Sequence, residues 1–167
     1  HATWFPGGQH LCLGGNEPGK GNRLYRYDIA RHEAKAFTEG GYGRTISKVS
    51  PDGRHVITRA PTSGGYALYP VDGGAPRVLE TLLPNERPIG WTPDGSAVWV
   101  LQLGVIPAPV HRVDLKTEKR ELWMEITPRT KSGIQGINSV CLSADGQSYA
   151  TSYVQMLCEL YGVRGLA

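Results

Sequence analysis

Short runs that alternate apolar and polar residues extend along the whole chain. Examples are "RTISKVS" at 44–50, "HVITRA" at 55–60 and "YALYPVD" at 66–72. A period of two predicts β-strands, because successive side chains of a strand point to opposite faces of its sheet. No segment combines a helical period with helix caps. The pattern therefore predicts an all-β protein.

One type of turn recurs four times between these runs. The turns are "FPGG", "SPDG", "TPDG" and "SADG", and their third residues are Gly7, Asp52, Asp94 and Asp145. The spacings between those residues are 45, 42 and 51 positions. Asp-Gly between alternating runs is a strong hairpin signal, since glycine accepts a positive φ and aspartate tolerates one. Each turn therefore predicts a hairpin of two strands, A and B.

A second element follows each turn at a nearly constant distance. The copies are "LYRYD", "LYPVD", "VHRVD" and "LYGVR", which end 21, 20, 20 and 19 residues after the third turn residue. They predict a strand C in each repeat, and in the first three repeats a strand D follows. Four-stranded antiparallel units of this length are the blades of a β-propeller. We therefore predict one propeller segment with blades at approximately 1–40, 41–83, 84–128 and 129–167, the last without its outer strand.

These repeats resemble the WD40-like (PD40) repeats of TolB-like β-propellers. The resemblance covers essentially the whole chain, although the first repeat has "FPGG" where the family has S-P-D-G. The ending "SYVQMLCELYGVRGL" also resembles the C-terminus of propeller regions attached to acidobacterial serine/threonine kinases. The resemblance implies a bacterial protein of which this chain is a piece, with a kinase domain upstream. It also favours an extracytoplasmic location on the periplasmic side.

The strand order predicts an open arc. The chain starts on a strand A, and the strand that would close a ring of blades would have to precede His1. We expect four blades of a larger ring, with a closed four-bladed ring as the alternative. An arc leaves blade edges and apolar faces open, which favours self-association.

Composition and charge exclude some classes of partner. The net charge is +3 and the basic residues are spread along the chain, whereas nucleic-acid binders concentrate them in one stripe. No apolar run approaches the ~18 residues that a membrane span needs. We therefore expect no nucleic-acid partner and no membrane insertion of this segment. Cys12, Cys141 and Cys158 lie in apolar surroundings and are predicted to be buried small hydrophobic residues.

The segment "GGNEPGKG" at 14–21 is close to a phosphate-binding loop. That motif requires Ser or Thr after the lysine and a helix after the loop. Gly21 occupies the hydroxyl position, and the repeat places the segment between strands B and C of the first blade. We interpret it as a hairpin loop without hydrolytic chemistry, with Lys20 at its tip as a candidate contact for an anion.

Catalytic patterns are not found in the sequence. There is no G-x-S-x-G nucleophile motif, and the five histidines are dispersed. The aspartates of the repeated turns are interpreted as turn-forming residues, since a catalytic acid is rarely needed in every repeat. The predicted inner strands contain few acidic residues or histidines. We therefore expect no enzyme activity, no metal site and no cofactor.

The connections from strand D to the next strand A carry the best candidate binding residues. Arg44, Arg87 and Arg129 each precede a strand A. In a propeller these connections and the B–C loops open at one mouth of the central channel, and loops held by a rigid scaffold often bind partners. With Lys20, the arginines predict a basic mouth for an acidic protein or small ligand. The expected function is a non-catalytic binding or sensing module; the alternative is an accessory propeller that gates or positions substrate for a kinase-type or peptidase-type catalytic domain.

Overall fold

The computed structural model describes residues 2–39, 47–60, 64–130, 132–143 and 145–161. The first blade consists of β1 (Ala2–Trp4), β2 (His10–Glu17), β3 (Gly21–Asp28) and β4 (Glu33–Ala36). The second consists of β5 (Lys48–Val49), β6 (His55–Arg59), β7 (Tyr66–Pro70) and β8 (Arg77–Leu79). The third consists of β9 (Glu86–Trp91), β10 (Ala97–Gln102), β11 (Ala108–Asp114) and β12 (Arg120–Ile126). The fourth contains β13 (Ile134–Leu142) and β14 (Tyr149–Gln155).

Each of the first three blades is a four-stranded antiparallel sheet with its strands in sequence order. This is the A–B–C–D order that the repeat predicts, and it confirms an all-β partial propeller. Within the described ranges the structure holds no helix of the length and apolarity that a membrane span requires.

The fourth blade differs from the prediction of three strands. Its described residues form a two-stranded sheet, β13 paired with β14. The predicted strand C at 160–164 falls partly outside the described residues; Leu160 and Tyr161, which are described, belong to no strand.

The repeated turn is built the same way in the last three blades. In the second blade the Ser50 hydroxyl donates to the Asp52 carboxylate and accepts from the His55 amide at 2.9 Å. The same carboxylate accepts from the Arg54 amide at 3.0 Å. Gly53 closes the turn with a φ of +71°, a conformation that glycine adopts without strain. The aspartate is therefore held as a turn-forming residue, as the sequence predicts.

The core lies between adjacent sheets, and β10 shows how the period of two builds it. Val98 and Val100 pack with residues of the second blade, including Ile57. Trp99 and Leu101 point the other way and pack with residues of the fourth blade, including Ile137. Because both faces of the third sheet are covered at β10, that strand is apolar on both of its faces.

A buried carboxylate ties the second and third blades together. Glu86 is 1% exposed and forms an ion pair with Arg120, which also donates to the Thr81 carbonyl. The second Glu86 carboxylate oxygen accepts from the Leu83 amide at 2.9 Å, and the Glu86 carbonyl accepts from the Tyr66 hydroxyl at 2.8 Å. The charge is thus paired and hydrogen-bonded, as a buried charge must be.

The prediction of three buried cysteines is correct for one of them. Cys12 is buried in the core between the first two blades, and burial raises the pKa of its thiol to about 12. Cys141 and Cys158 are exposed. Both lie in or after the fourth blade, where no further sheet of the described residues covers them.

Candidate binding groove on the inner strands

The inner strands of the four blades line one open cavity of about 590 Å³. The repeat explains why the four inner strands meet at one cavity, since each blade contributes the residues that directly precede or begin its A–B turn. Those contributions include Trp4 and Phe5 from the first blade, Lys48 and Ser50 from the second, Trp91 from the third and Leu142 from the fourth. We call this cavity the inner groove. Its size is in the range of small-ligand sites in proteins.

Two tryptophan side chains contribute aromatic surface to the inner groove. Trp4 is 59% exposed, although a large aromatic residue is usually covered in a folded domain. Trp91 is half-buried, and its indole nitrogen donates to the Lys48 carbonyl at 3.1 Å. That bond fastens the third inner strand to the second and leaves the Trp91 ring along the groove wall.

A glycine allows the inner strands of the third and fourth blades to pack closely beside the groove. Gly90 directly precedes Trp91, and a Cβ atom placed on it would approach the Leu142 Cδ1 atom to 3.3 Å. Close packing of the third and fourth inner strands therefore favours glycine here.

Lys48 is the single ionisable side chain among the described residues that line the inner groove. Burial lowers the pKa of its amine, and the nearby Arg87 guanidinium lowers it further, while Cys141 acts in the opposite direction. None of the ion pairs among the described residues includes Lys48. A half-buried cation near a second cation favours an anion, because an anion would relieve both the lost solvation and the repulsion.

Arg87 lies within β9 itself, near Lys48, and already has a partner. Its guanidinium donates to the Asn138 carbonyl at 2.6 Å and so joins the inner strands of the third and fourth blades. It does not line the inner groove, but it adds positive charge beside it.

The other predicted binding residues are placed elsewhere. Lys20 lies in the turn between β2 and β3 and forms an ion pair with Glu17 at 2.8 Å. A strand follows this turn, which agrees with the interpretation of "GGNEPGKG" as a hairpin loop. Arg129 is exposed in the connection between β12 and β13, and Arg44 lies outside the described residues. Neither Lys20 nor Arg129 lines the inner groove, so the basic mouth that these residues predict stays a prediction.

Lys48 was missed as a site residue, although the sequence contains a signal for it. It stands two residues before the turn serine, where the other repeats have Thr3, Gly90 and Cys141. Lys48 is the one charged residue among the four at this position, which distinguishes the second blade from the others. The described part of the chain contains no cluster of three or more His, Cys, Asp or Glu side chains that would hold a metal ion.

Comparison with solved structures finds the same fold in two TolB-type proteins. TolB from Acinetobacter baumannii matches with a TM-score of 0.67 and 18% identity, over 90% of this chain and 36% of that chain. The putative TolB from Agrobacterium tumefaciens matches with a TM-score of 0.62 and 20% identity, over 90% and 52%. The fold is that of a TolB-like β-propeller.

A third match extends the likeness beyond TolB. A chain of the nidogen/laminin complex matches with a TM-score of 0.61 and 13% identity, over 88% of this chain and 52% of that chain. No protein-family profile and no curated protein sequence matches this chain. The chain spans about a third to a half of the TolB chains that it resembles, so the arc corresponds to part of a TolB-like propeller.

Proposed function

We propose that this TolB-like propeller segment is a non-catalytic binding module of a larger protein, and that the inner groove takes an acidic segment of a protein partner or a small anionic ligand. The observation that carries the proposal is the composition of the groove. Four inner strands converge on a cavity that is lined by aromatic residues and by Lys48, with no acidic residue among its described lining residues.

The chemistry of the groove supports binding by two contributions. Trp4 and Trp91 offer apolar surface at low entropic cost, since an aromatic side chain has few rotatable bonds. Lys48 offers a charge that has already lost part of its solvation, so pairing with a carboxylate removes little additional water. Arg87 adds to the positive potential without leaving its bond to Asn138.

Titration with short peptides tests the proposal. A tetraglutamate peptide is the probe and a tetralysine peptide is its charge-reversed counterpart. Intrinsic tryptophan fluorescence is the readout, because Trp4 and Trp91 line the groove. We expect saturable binding of tetraglutamate and none of tetralysine. Affinity should fall as pH rises through the lowered pKa of Lys48, since the neutral amine no longer attracts a carboxylate.

Two lysine variants provide the matched comparison. Lys48→Met should weaken tetraglutamate binding by about tenfold or more, the usual size of one charge-assisted hydrogen bond. Lys20→Met removes an equal charge from an exposed turn and should leave the affinity unchanged. The opposite result, with K20M or Arg129→Gln abolishing binding and K48M having no effect, would place the site at the predicted basic mouth instead. Absence of any binding by the unaltered chain would contradict the proposal.

The remaining expectations stay predictions. They are the accessory role beside a catalytic domain, the upstream kinase domain and the periplasmic-side location. The solved structures that this chain resembles support the propeller alone, because their identities lie below 25%.

A further inference from the structure

A second open cavity, of about 620 Å³, lies between the first and second blades. Arg23 on β3 and the residues at and after the end of β4 line it on the first-blade side. Tyr69 on β7 and the connection 73–76 line it on the second-blade side. We call this cavity the side cleft. Among the described residues it shares no lining residue with the inner groove, and its size is also in the range of small-ligand sites.

A long connection with small side chains forms one wall of the side cleft. Residues 71–76 join β7 to β8, whereas 29–32 join β3 to β4 and 115–119 join β11 to β12. The second-blade connection reads "VDGGAP", while the other two read "IARH" and "LKTEK". Its last four residues line the cleft and carry no side chain larger than a proline ring. They therefore border the cavity without filling it.

Two aromatic side chains form the apolar wall of the side cleft. Tyr69 is 4% exposed and belongs to a cluster with Ala60 and Ala67, against which the half-buried Phe37 packs. Phe37 also packs against the core between the first two blades. Both rings are thus held in place by their neighbours. An apolar ligand would meet a preformed wall, so that binding would not carry the entropic cost of ordering it.

The side cleft is lined by one side chain of each charge, Arg23 and Glu39. Arg23 is half-buried, and its Nε atom donates to the Thr38 carbonyl at 3.0 Å. Thr38 is itself fixed, because its hydroxyl accepts from the Leu24 amide at 2.8 Å. This arrangement orients the guanidinium and leaves its two terminal nitrogens to bind both oxygens of a carboxylate. Glu39 directly follows Thr38 and is exposed.

These two charges line one cavity without pairing. None of the ion pairs among the described residues includes Arg23 or Glu39. Glu17, the other carboxylate near Arg23, is bonded to Lys20 at 2.8 Å and to the Tyr25 hydroxyl at 2.7 Å. A ligand that carries both charges would therefore match the side cleft, whereas a simple anion or cation would also meet a like charge there.

We propose that the side cleft binds a free α-amino acid with an apolar side chain. The carboxylate of the ligand bonds to Arg23, its ammonium group bonds to Glu39, and its side chain packs on the aromatic wall. This ligand differs in kind from the acidic one proposed for the inner groove, because a zwitterion has no net charge and is recognised by two opposite charges at once.

Calorimetric titration of the full chain with phenylalanine tests the proposal, and we expect saturable binding. Three analogues each lack one feature: N-acetylphenylalanine has no ammonium group, phenylalaninamide has no carboxylate, and glycine has no apolar side chain. Each should bind at least about tenfold more weakly, since it loses a charge-assisted hydrogen bond or the burial of a ring. Absence of phenylalanine binding would overturn the proposal, and so would equal affinities for phenylalanine and glycine.

Variants at the two charged positions show which ligand group each side chain binds. Arg23→Gln should weaken phenylalanine binding by about tenfold and leave phenylalaninamide binding no weaker, because that analogue has no carboxylate to lose. Glu39→Gln should weaken phenylalanine binding similarly and leave N-acetylphenylalanine binding no weaker. Arg129→Gln and Glu33→Gln remove the same charges at exposed positions outside the cleft and should change no affinity. Equal weakening of all ligands by R23Q and E39Q would indicate a structural role and would contradict the proposal.

Comparison with Lys48→Met separates the side cleft from the inner groove. K48M should weaken tetraglutamate binding and keep the full affinity for phenylalanine, whereas R23Q should do the reverse, since the two cavities share no described lining residue. Each proposal can therefore fail without the other. Loss of phenylalanine binding in K48M but not in R23Q would place the amino acid in the inner groove and would overturn the assignment to the side cleft.

Discussion

The third and fourth blades contain the same turn in two different environments. In the third, the Thr92 hydroxyl donates to Asp94 and accepts from the Ala97 amide at 3.0 Å, with Thr92 6% exposed. In the fourth, the Ser143 hydroxyl donates to Asp145 and accepts from the Ser148 amide at 2.9 Å, and Ser143 is exposed. The turn therefore forms with nearly the same geometry whether or not other sheets cover it.

Burial of the strands, unlike the geometry of the turn, differs between the third and fourth blades. β10 packs against the second blade through Val98 and Val100 and against the fourth through Trp99 and Leu101. In the fourth blade, Ile137 and Val140 of β13 pack against the third blade, while β14 is exposed throughout. Local sequence determines the hairpin, whereas a blade becomes a core element when neighbours cover both of its faces.

The largest expected effect comes from the buried face of β10. Leu101 is 0% exposed, and Leu101→Ala should destabilise the protein by about 2–5 kcal/mol, because the cavity left behind adds to the lost burial. Val154 is 50% exposed on β14, and Val154→Ala should change stability by no more than about 0.5 kcal/mol. Urea unfolding followed by tryptophan fluorescence measures both. Equal losses would mean that the fourth blade is packed as tightly as the third.

A smaller effect is expected from the turns. Thr92→Val keeps the shape of the side chain but leaves the buried Ala97 amide without its acceptor, which should cost about 1–3 kcal/mol. Ser143→Ala removes the same bonds at an exposed position, where water replaces them, and should cost less than about 1 kcal/mol. Ser50 is 3% exposed, so Ser50→Ala is a control that should behave like T92V. A large loss for S143A would show that the turn contributes to stability independently of burial.

The repeat made the blades predictable from sequence because its signals are local. Each hairpin depends on four turn residues and on the alternating apolar and polar residues around them. The strand order A to D follows from the nearly constant distance between the turn and the strand C segment. The turn aspartates were correctly interpreted as turn-forming residues for the same reason, since Asp52 bonds to groups within two residues of itself.

The inner groove could not be predicted in the same way, because it depends on contacts between blades. Trp91 bonds to the carbonyl of Lys48, 43 residues away, and Arg87 bonds to that of Asn138, 51 residues away. Neither pairing leaves a pattern in the sequence. The exposure of Cys141 was missed for a related reason: its apolar neighbours predict burial, but that burial requires a further sheet beside β13.

The smallest expected effect is on acid titration, and it tests most directly whether the turn is local. The Thr92 hydroxyl, followed by the Ser96 amide and hydroxyl, lowers the pKa of Asp94 to about 2. The Ser143 hydroxyl, followed by the Gln147 amide, lowers the pKa of Asp145. A carboxyl whose pKa is lower in the folded state stabilises the fold above its unfolded pKa of about 3.9, and this contribution is lost as pH falls through the folded pKa.

NMR titration of the two carboxyl groups should therefore show both pKa values below the ordinary aspartate range. T92V should raise the pKa of Asp94 and leave that of Asp145 unchanged, and S143A should do the reverse, because each carboxyl depends on the hydroxyl two residues before it. An ordinary pKa for Asp145 beside a lowered pKa for Asp94 would mean that the turn needs the cover of neighbouring blades. The distinction between a local hairpin and a collectively buried blade would then have to be abandoned, since the hairpin itself would depend on burial.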